Sequence, residues 1–286
     1  DEGDDVGAHR QVGVLGELLV EREPVVEGEA GGLVDAQDLP VAVVTLPLGA
    51  GHVVVRPPTG GEVVVDSDAE GHFITLDGRA IKTQGGRPQR VPARALAEAM
   101  AAEWEMQGEI IDPAHFVYRD MADYAIDVVP EERAAIIAKL LRYGETDTLC
   151  YRADPDEPLW HRQRTVWDPL VEAYEAREGV KLERVSGVVA RPHPRATGER
   201  LEARLLTLDD FTLAAAEQAT ALAASLCIGL SALEPEADGE MLWDAANLEE
   251  DWQVEQWGED EEASARRARR LESFLKSIAF ARLARG

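Results

Sequence analysis

The stretch FITLDGRAIKTQGGRPQRVPARALAEAMAAEWEMQG, residues 73–108, decides the fold class. Phe73 to Leu76 and Arg79 to Thr83 flank Asp77-Gly78, a dipeptide that accepts the positive φ values of a two-residue hairpin turn. Gly85-Gly86 predicts a second turn before a short strand ending at Val91. Pro92 then opens a helix, at a position where its missing N–H costs nothing. Leu96, Met100 and Trp104 recur at i, i+4 and i+8, so one face of that helix is apolar, and Gly108 closes it. A small sheet carrying a helix is expected, which makes the chain α+β.

Toward the C-terminus the pattern turns almost wholly helical from Pro130 on. Ile136, Ile137, Leu140 and Leu141 mark one apolar face ended by Gly144. Asp168-Pro169 reads as an N-cap with proline at the first helical position, opening a helix through Tyr174 to Gly179. Val180 to Val189 reads as extended, and Leu201, Leu205 and Leu208 mark a helix. Asp209 or Asp210 caps the Ala-rich segment Leu213 to Leu233, which reads as one buried helix. Leu271, Phe274, Leu275, Ile278 and Ala279 follow helical spacing closely. The expected division is a small mixed α+β domain over residues 67–129 followed by an all-helical domain over 130–286. Residues 1–66 show no sustained pattern, although Val63 to Val65 is one of three short Val runs that could be strands. They are expected to be a poorly ordered or unrelated extension.

An apolar content of 45% supports a sizeable core in a chain of 286 residues. The formal charge is −26, and its placement matters more than its size. Residues 1–70 carry 15 acids against 3 bases, and residues 232–262 carry 13 acids and no Lys or Arg. Such blocks repel a phosphate backbone, so nucleic acid is not an expected partner. They suit a basic protein surface, a metal ion or simple solvation. No apolar run reaches membrane length, and the acidic first residues lack a basic signal-peptide start. Cys150 and Cys227 are expected to be free thiols in a reducing compartment.

Motifs for catalysis are missing from the sequence. There is no Gly-x-x-x-x-Gly-Lys-Ser/Thr phosphate loop, no His-x-x-x-His or Cys-x-x-Cys pair, and no Gly-x-Ser-x-Gly elbow. Asp154, Asp156 and His161 sit in a proline-rich loop that reads as a solvated turn. The segment Trp243 to Glu262 is different. It holds three of the six tryptophans, interleaved with carboxylates. Tryptophan anchors interfaces because it buries a large area while its N–H keeps a polar partner. Trp243 is expected in the core, whereas Trp257, beside a Gly break, is left open between packing and binding. Glu259 to Glu262 would also favour a helix dipole, with Glu262 reaching Arg266, but that explains one or two acids rather than thirteen.

Several short strings occur in an order that resembles the Atp-twelve family. They are Leu76-Asp77-Gly78-Arg79 with Lys82-Thr83; Val91-Pro92 and Leu96-Ala97 leading to Glu103-Trp104 and Gln107; Ala125-Ile126-Asp127; Tyr143-Gly144-Glu145-Thr146-Asp147 with Cys150-Tyr151-Arg152; Gln163 with Trp167-Asp168-Pro169; and Trp257-Gly258 with Glu261. The likeness runs from about His72 to the C-terminus. Residues 1–71, Val117-Tyr118 and Asp123-Tyr124 depart from the family pattern. The resemblance implies an ATP-independent assembly chaperone that binds the unassembled alpha subunit of ATP synthase, with no cofactor, metal or catalytic residue. It makes Trp104, Asp127, Glu145, Asp147, Trp167 and Asp168 structural signature positions. Trp252, Glu255, Trp257, Glu259, Asp260 and Glu261 are the expected client-binding set. The alternatives are a carboxylate-rich metal-dependent hydrolase and a permanent accessory subunit of the synthase.

Because no phosphate loop is encoded, the purified chain is expected neither to bind nor to hydrolyse ATP. Calorimetric titration with Mg-ATP, together with a phosphate-release assay, checks this; saturable heat or turnover would contradict it.

Overall fold

Asp77 and Gly78 take φ values of 52° and 75°, so the predicted hairpin turn has the geometry its sequence requires. The computed structural model describes residues 62–108, 110–186 and 191–286. The hairpin belongs to an antiparallel meander of β1 (Val63–Asp68), β2 (Gly71–Leu76) and β3 (Arg79–Ala80). Val63 faces Leu76 and Asp66 faces Phe73, which turns Ile74 into the core. The line expected at residue 66 therefore runs through β1. Residues 63–66 belong to the sheet because their backbone completes the ladder of β2, while residues 1–61 lie outside the described residues.

The Gly85-Gly86 turn is held from a distance by Asp127. Its carboxylate accepts from Thr83 Oγ1 and from the Gly85 N–H, both at 2.8 Å. A side chain at Gly85 would meet that carboxylate at 2.8 Å, so close approach requires glycine here. Instead of a strand up to Val91, two isolated bridges close this segment, Lys82 with Pro88 and His72 with Val91.

Helix α1 (Arg94–Glu105) starts two residues after Pro92 and buries Leu96, Met100 and Trp104 on the face its spacing predicted. Trp104 packs at 4.5 Å between ring centroids on Phe116. Buried Glu103 accepts from the Tyr118 and Arg119 amides at 2.7 and 2.9 Å, capping α2 (Val117–Asp127) from a different helix. Burial still pushes its carboxyl above the usual range.

Three local expectations are corrected by packing. Gly144 does not end α3 (Val129–Glu145); it lies within the last turn, where Leu226 comes so near that a Cβ would sit 3.1 Å away. Asp168-Pro169 does not open a helix either, since α4 runs from Pro158 to Glu178 with Pro169 inside it. Gln163, Trp167, Val171 and Tyr174 fall on one buried face across the proline, and their burial outweighs an interior-proline cost of about 3 kcal/mol. The Ala-rich segment is two helices, α6 (Asp210–Ala223) and α7 (Leu226–Ala232), parted by Ala224 at φ 49°. The break is held by Asp147, which accepts from Ser225 Oγ at 2.7 Å and from the Cys227 amide at 2.9 Å. Asp209 is the side-chain cap of α6.

The remaining elements are a two-stranded parallel pair, β4 (Tyr151–Arg152) with β5 (Val185–Ser186), and the helices α5 (Arg195–Leu206), α8 (Gly239–Ala246), α9 (Leu248–Trp257) and α10 (Glu261–Arg285). A mixed α+β fold with small sheets and a mostly helical C-terminal part is what the sequence predicted. The line expected near residue 129 falls at Val128, between α2 and α3. Elements on its two sides share a core: α1 packs on α10, α2 on α6, and Tyr124 Oη donates to Glu217 at 2.7 Å. Cys150 and Cys227 are free and buried.

Val63 and Val65 pack partly buried against the core. Removing β1 is expected to cost on the order of 3 kcal/mol, or about 6–12 °C at this chain size. Thermal melting of a chain starting at Glu62 against one starting at Ala69 checks it; equal midpoints would make β1 dispensable.

Candidate protein-binding surface

Asn247 separates α8 from α9 and satisfies the end of α8, its Nδ2 donating to the Trp243 carbonyl at 2.8 Å. Leu248 is the one buried residue of α9. Polar clips supply much of the remaining attachment. Gln163 Nε2 donates to Glu249 at 2.6 Å, Arg162 pairs with Glu255 at 2.5 Å and lies over the Trp252 ring, and Arg267 of α10 pairs with Asp251. Gly258 then turns the chain with φ 93° and ψ 167°, a conformation for which glycine is suited. Its N–H closes on the Val254 carbonyl at 2.8 Å. Asp260 caps α10 by accepting from the Glu262 and Ala263 amides.

This geometry divides the six expected client-binding residues into two groups. Glu255 is committed to Arg162, Trp252 is half-buried beneath the same guanidinium, Glu259 accepts from Ser264 Oγ at 2.6 Å, and Asp260 is a cap. Pairing with Arg162 holds the Glu255 carboxyl below the usual carboxylate range. Trp257 and Glu261 are different. Trp257 is 79% exposed, the most exposed large hydrophobic side chain among the described residues. Glu261 is exposed, and its side chain has no hydrogen bond or ion pair among the described residues. The expected pair of Glu262 with Arg266 is not formed; both side chains are exposed. Trp243 is buried against Phe274, as expected.

The signature positions lie elsewhere and act on the framework. Trp167 is fully buried and donates its indole N–H to the Ala245 carbonyl at 2.7 Å, joining α4 to α8 directly beneath the acidic arm. Asp168 pairs with Arg152 at 3.0 Å and Arg164 at 3.1 Å, and Arg152 stacks over Trp167. Asp147, Asp127 and Trp104 hold the contacts described above, while Glu145 is exposed on the last turn of α3. Reading the sequence did not single out Arg162, Arg267 or Asn247. Arg162 lies 93 residues from Glu255, and no local pattern reports such a pair.

Among the described residues, no group of three or more His, Cys, Asp or Glu side chains is placed to hold a metal ion. None of their helices is long and apolar enough to cross a membrane. Between α9 and α10 lies an open groove of about 530 Å³ with Val254, Ala268 and Leu271 in its lining. An exposed aromatic anchor beside an apolar groove, with carboxylates at the rim, has the character of a protein-binding surface.

Comparison with known proteins places the chain among relatives. The model of a family described as ATP12 chaperone protein matches residues 61–175. The chain is 28% identical over 203 residues to the mitochondrial protein atp12 of Schizosaccharomyces pombe, covering 67% of this chain and 70% of that one. It superposes on the Atp12 crystal structure from Paracoccus denitrificans with a TM-score of 0.74 and 35% identity, spanning 78% of this chain and 95% of that one. The Atu1473 protein of Agrobacterium tumefaciens is similar at a TM-score of 0.73 and 35% identity, over 77% and 83% of the two chains. The chain belongs to the ATP12 chaperone protein family.

One buried carboxylate of the framework titrates where it can be observed. Asp123, on the face of α2 that grips the 84–89 turn, accepts from the Gln84 amide and Gln89 Nε2, and burial raises its pKa to about 6. An acid whose folded pKa exceeds its unfolded value favours folding as pH falls from the folded pKa toward the unfolded one. Relative to Asp123→Asn, the wild type is expected to gain about 1.4 kcal/mol between about pH 8 and about pH 5. Denaturant unfolding of both chains at the two pH values checks this; a pH-independent difference would place the titration elsewhere.

Proposed function

We propose that this chain is an ATP-independent assembly chaperone of ATP synthase, which binds the unassembled alpha subunit and shields its interface until the beta subunit pairs with it. The observation that carries the reading is the likeness to Paracoccus denitrificans Atp12, at 35% identity across 95% of that chain. The physical logic is that a subunit awaiting its partner exposes an apolar patch prone to aggregation. A holding protein covers that patch and must later yield it, so its affinity should be moderate. No catalytic step is needed, and a cytoplasmic monomer suffices for the task.

Within this reading Trp257 supplies apolar contact area and Glu261 meets a cation or hydrogen-bond donor on the client. Trp252, Glu255, Glu259 and Asp260 shape the same surface, largely through their internal partners. An acidic face of this kind steers a client with basic residues and fixes its orientation. Two measurements test the proposal. Equimolar chain should suppress light scattering from refolding alpha subunit, and unchanged aggregation would refute a holding role. Glu261→Gln should leave melting unaltered while weakening alpha-subunit binding by about 2 kcal/mol, with Glu272→Gln, on the same helix and paired with Lys276, as the neutral control. Equal affinity of wild type and Glu261→Gln would return Glu261 to supporting the helix dipole.

A further inference from the structure

The groove between α9 and α10 has a composition that selects its occupant. Its lining includes Val254, 38% exposed, together with Ala268 and Leu271, so the floor is apolar and reachable. Carboxylates stand along it at Asp244, Glu250, Glu259 and Asp260. Among the described residues Arg267 is the only cationic side chain in the lining, and it is already committed to Asp251 and, at 3.7 Å, to Asp244. An anionic or phosphorylated segment would therefore meet uncompensated negative charge.

We propose that this groove takes a cationic peptide segment with an apolar centre: one aliphatic side chain seats over Val254 and Leu271, and Lys or Arg on either side of it meet the rim carboxylates. Charge complementarity fixes the choice, because the flanking cations gain from the rim while the central side chain leaves water. In the chaperone reading this segment belongs to the client, and only that attribution rests on it. The groove itself is defined by residues of this chain.

The probe is a short synthetic peptide with a central leucine between paired lysines, titrated calorimetrically into the full chain. One control replaces the leucine with serine, and another replaces the lysines with glutamates. Binding of the first peptide alone, weakened by added salt, is expected. Val254→Lys and Ala268→Arg place bulk and positive charge in the groove at positions open enough to keep the helices intact. Each should weaken the peptide about tenfold or more. Ala265→Arg, exposed on α10 outside the lining, adds the same charge and should not. Melting curves of the three variants confirm that the fold is kept. No binding of the lysine-leucine peptide, equal binding of the serine peptide, or unchanged affinity in both groove variants would overturn the inference.

The alpha subunit supplies the separate arm. If it binds wild type and both groove variants equally, the groove is not the contact and the chaperone reading stands. If it fails to bind wild type while the peptide binds, the client assignment fails and the groove stands.

Discussion

Helix α10 is longer than the core beneath it. Its 25 residues extend about 37 Å at the helical rise, yet every buried residue in it lies at or beyond Phe274. The second half packs along α6, where Phe280 stacks on Phe211 at 6.1 Å. The first half overhangs. An overhanging helix must either find a partner or expose its turns, and α9 folds back beside it to supply one wall. The groove lies between α9 and this first half of α10.

The overhang is held by charge more than by apolar burial. Leu248 alone anchors α9 inside the protein, and Arg162, Gln163 and Arg267 pin three of its carboxylates. The Arg162–Glu255 pair is largely exposed and contributes little, since water and salt screen it, and the other two contacts are part-buried. An arm so attached lies at the low-stability end of the molecule, where local opening is least costly. A surface that must accept a partner and later release it gains from such compliance. The framework below is built in the opposite manner. Trp167, Asp147 and Glu103 are buried and hydrogen-bonded to backbone groups of distant elements, so disturbing them removes partners that water cannot replace.

Much of the framework was legible because its signals are local. Asp77-Gly78 specifies a tight turn, and the Leu96, Met100, Trp104 stripe specifies a buried helix face. The Phe274, Ile278 spacing does the same for α10. Where reading failed, a long-range contact had overridden a local rule. Pro169 ordinarily starts a helix, but burial of Gln163, Trp167, Val171 and Tyr174 carries α4 through it. Ala224 sits in an Ala-rich run that favours one helix, but Asp147, some 78 residues away from Ser225, captures that serine and the Cys227 amide.

The binding surface shows the same division more sharply. By itself the sequence determined that residues 232–262 carry 13 acids without a compensating Lys or Arg, that three tryptophans lie among them, and that a helix begins near Glu261. Composition and spacing suffice for those statements, because charge and periodicity are properties of neighbouring residues. Only the tertiary structure decided which of these side chains remain available. Trp243 went into the core, Glu255 was taken by Arg162 from α4, Asp251 by Arg267, and Trp257 and Glu261 were left facing water. The physical reason is that pairing and burial depend on distances between elements far apart in the chain, which no window of sequence contains.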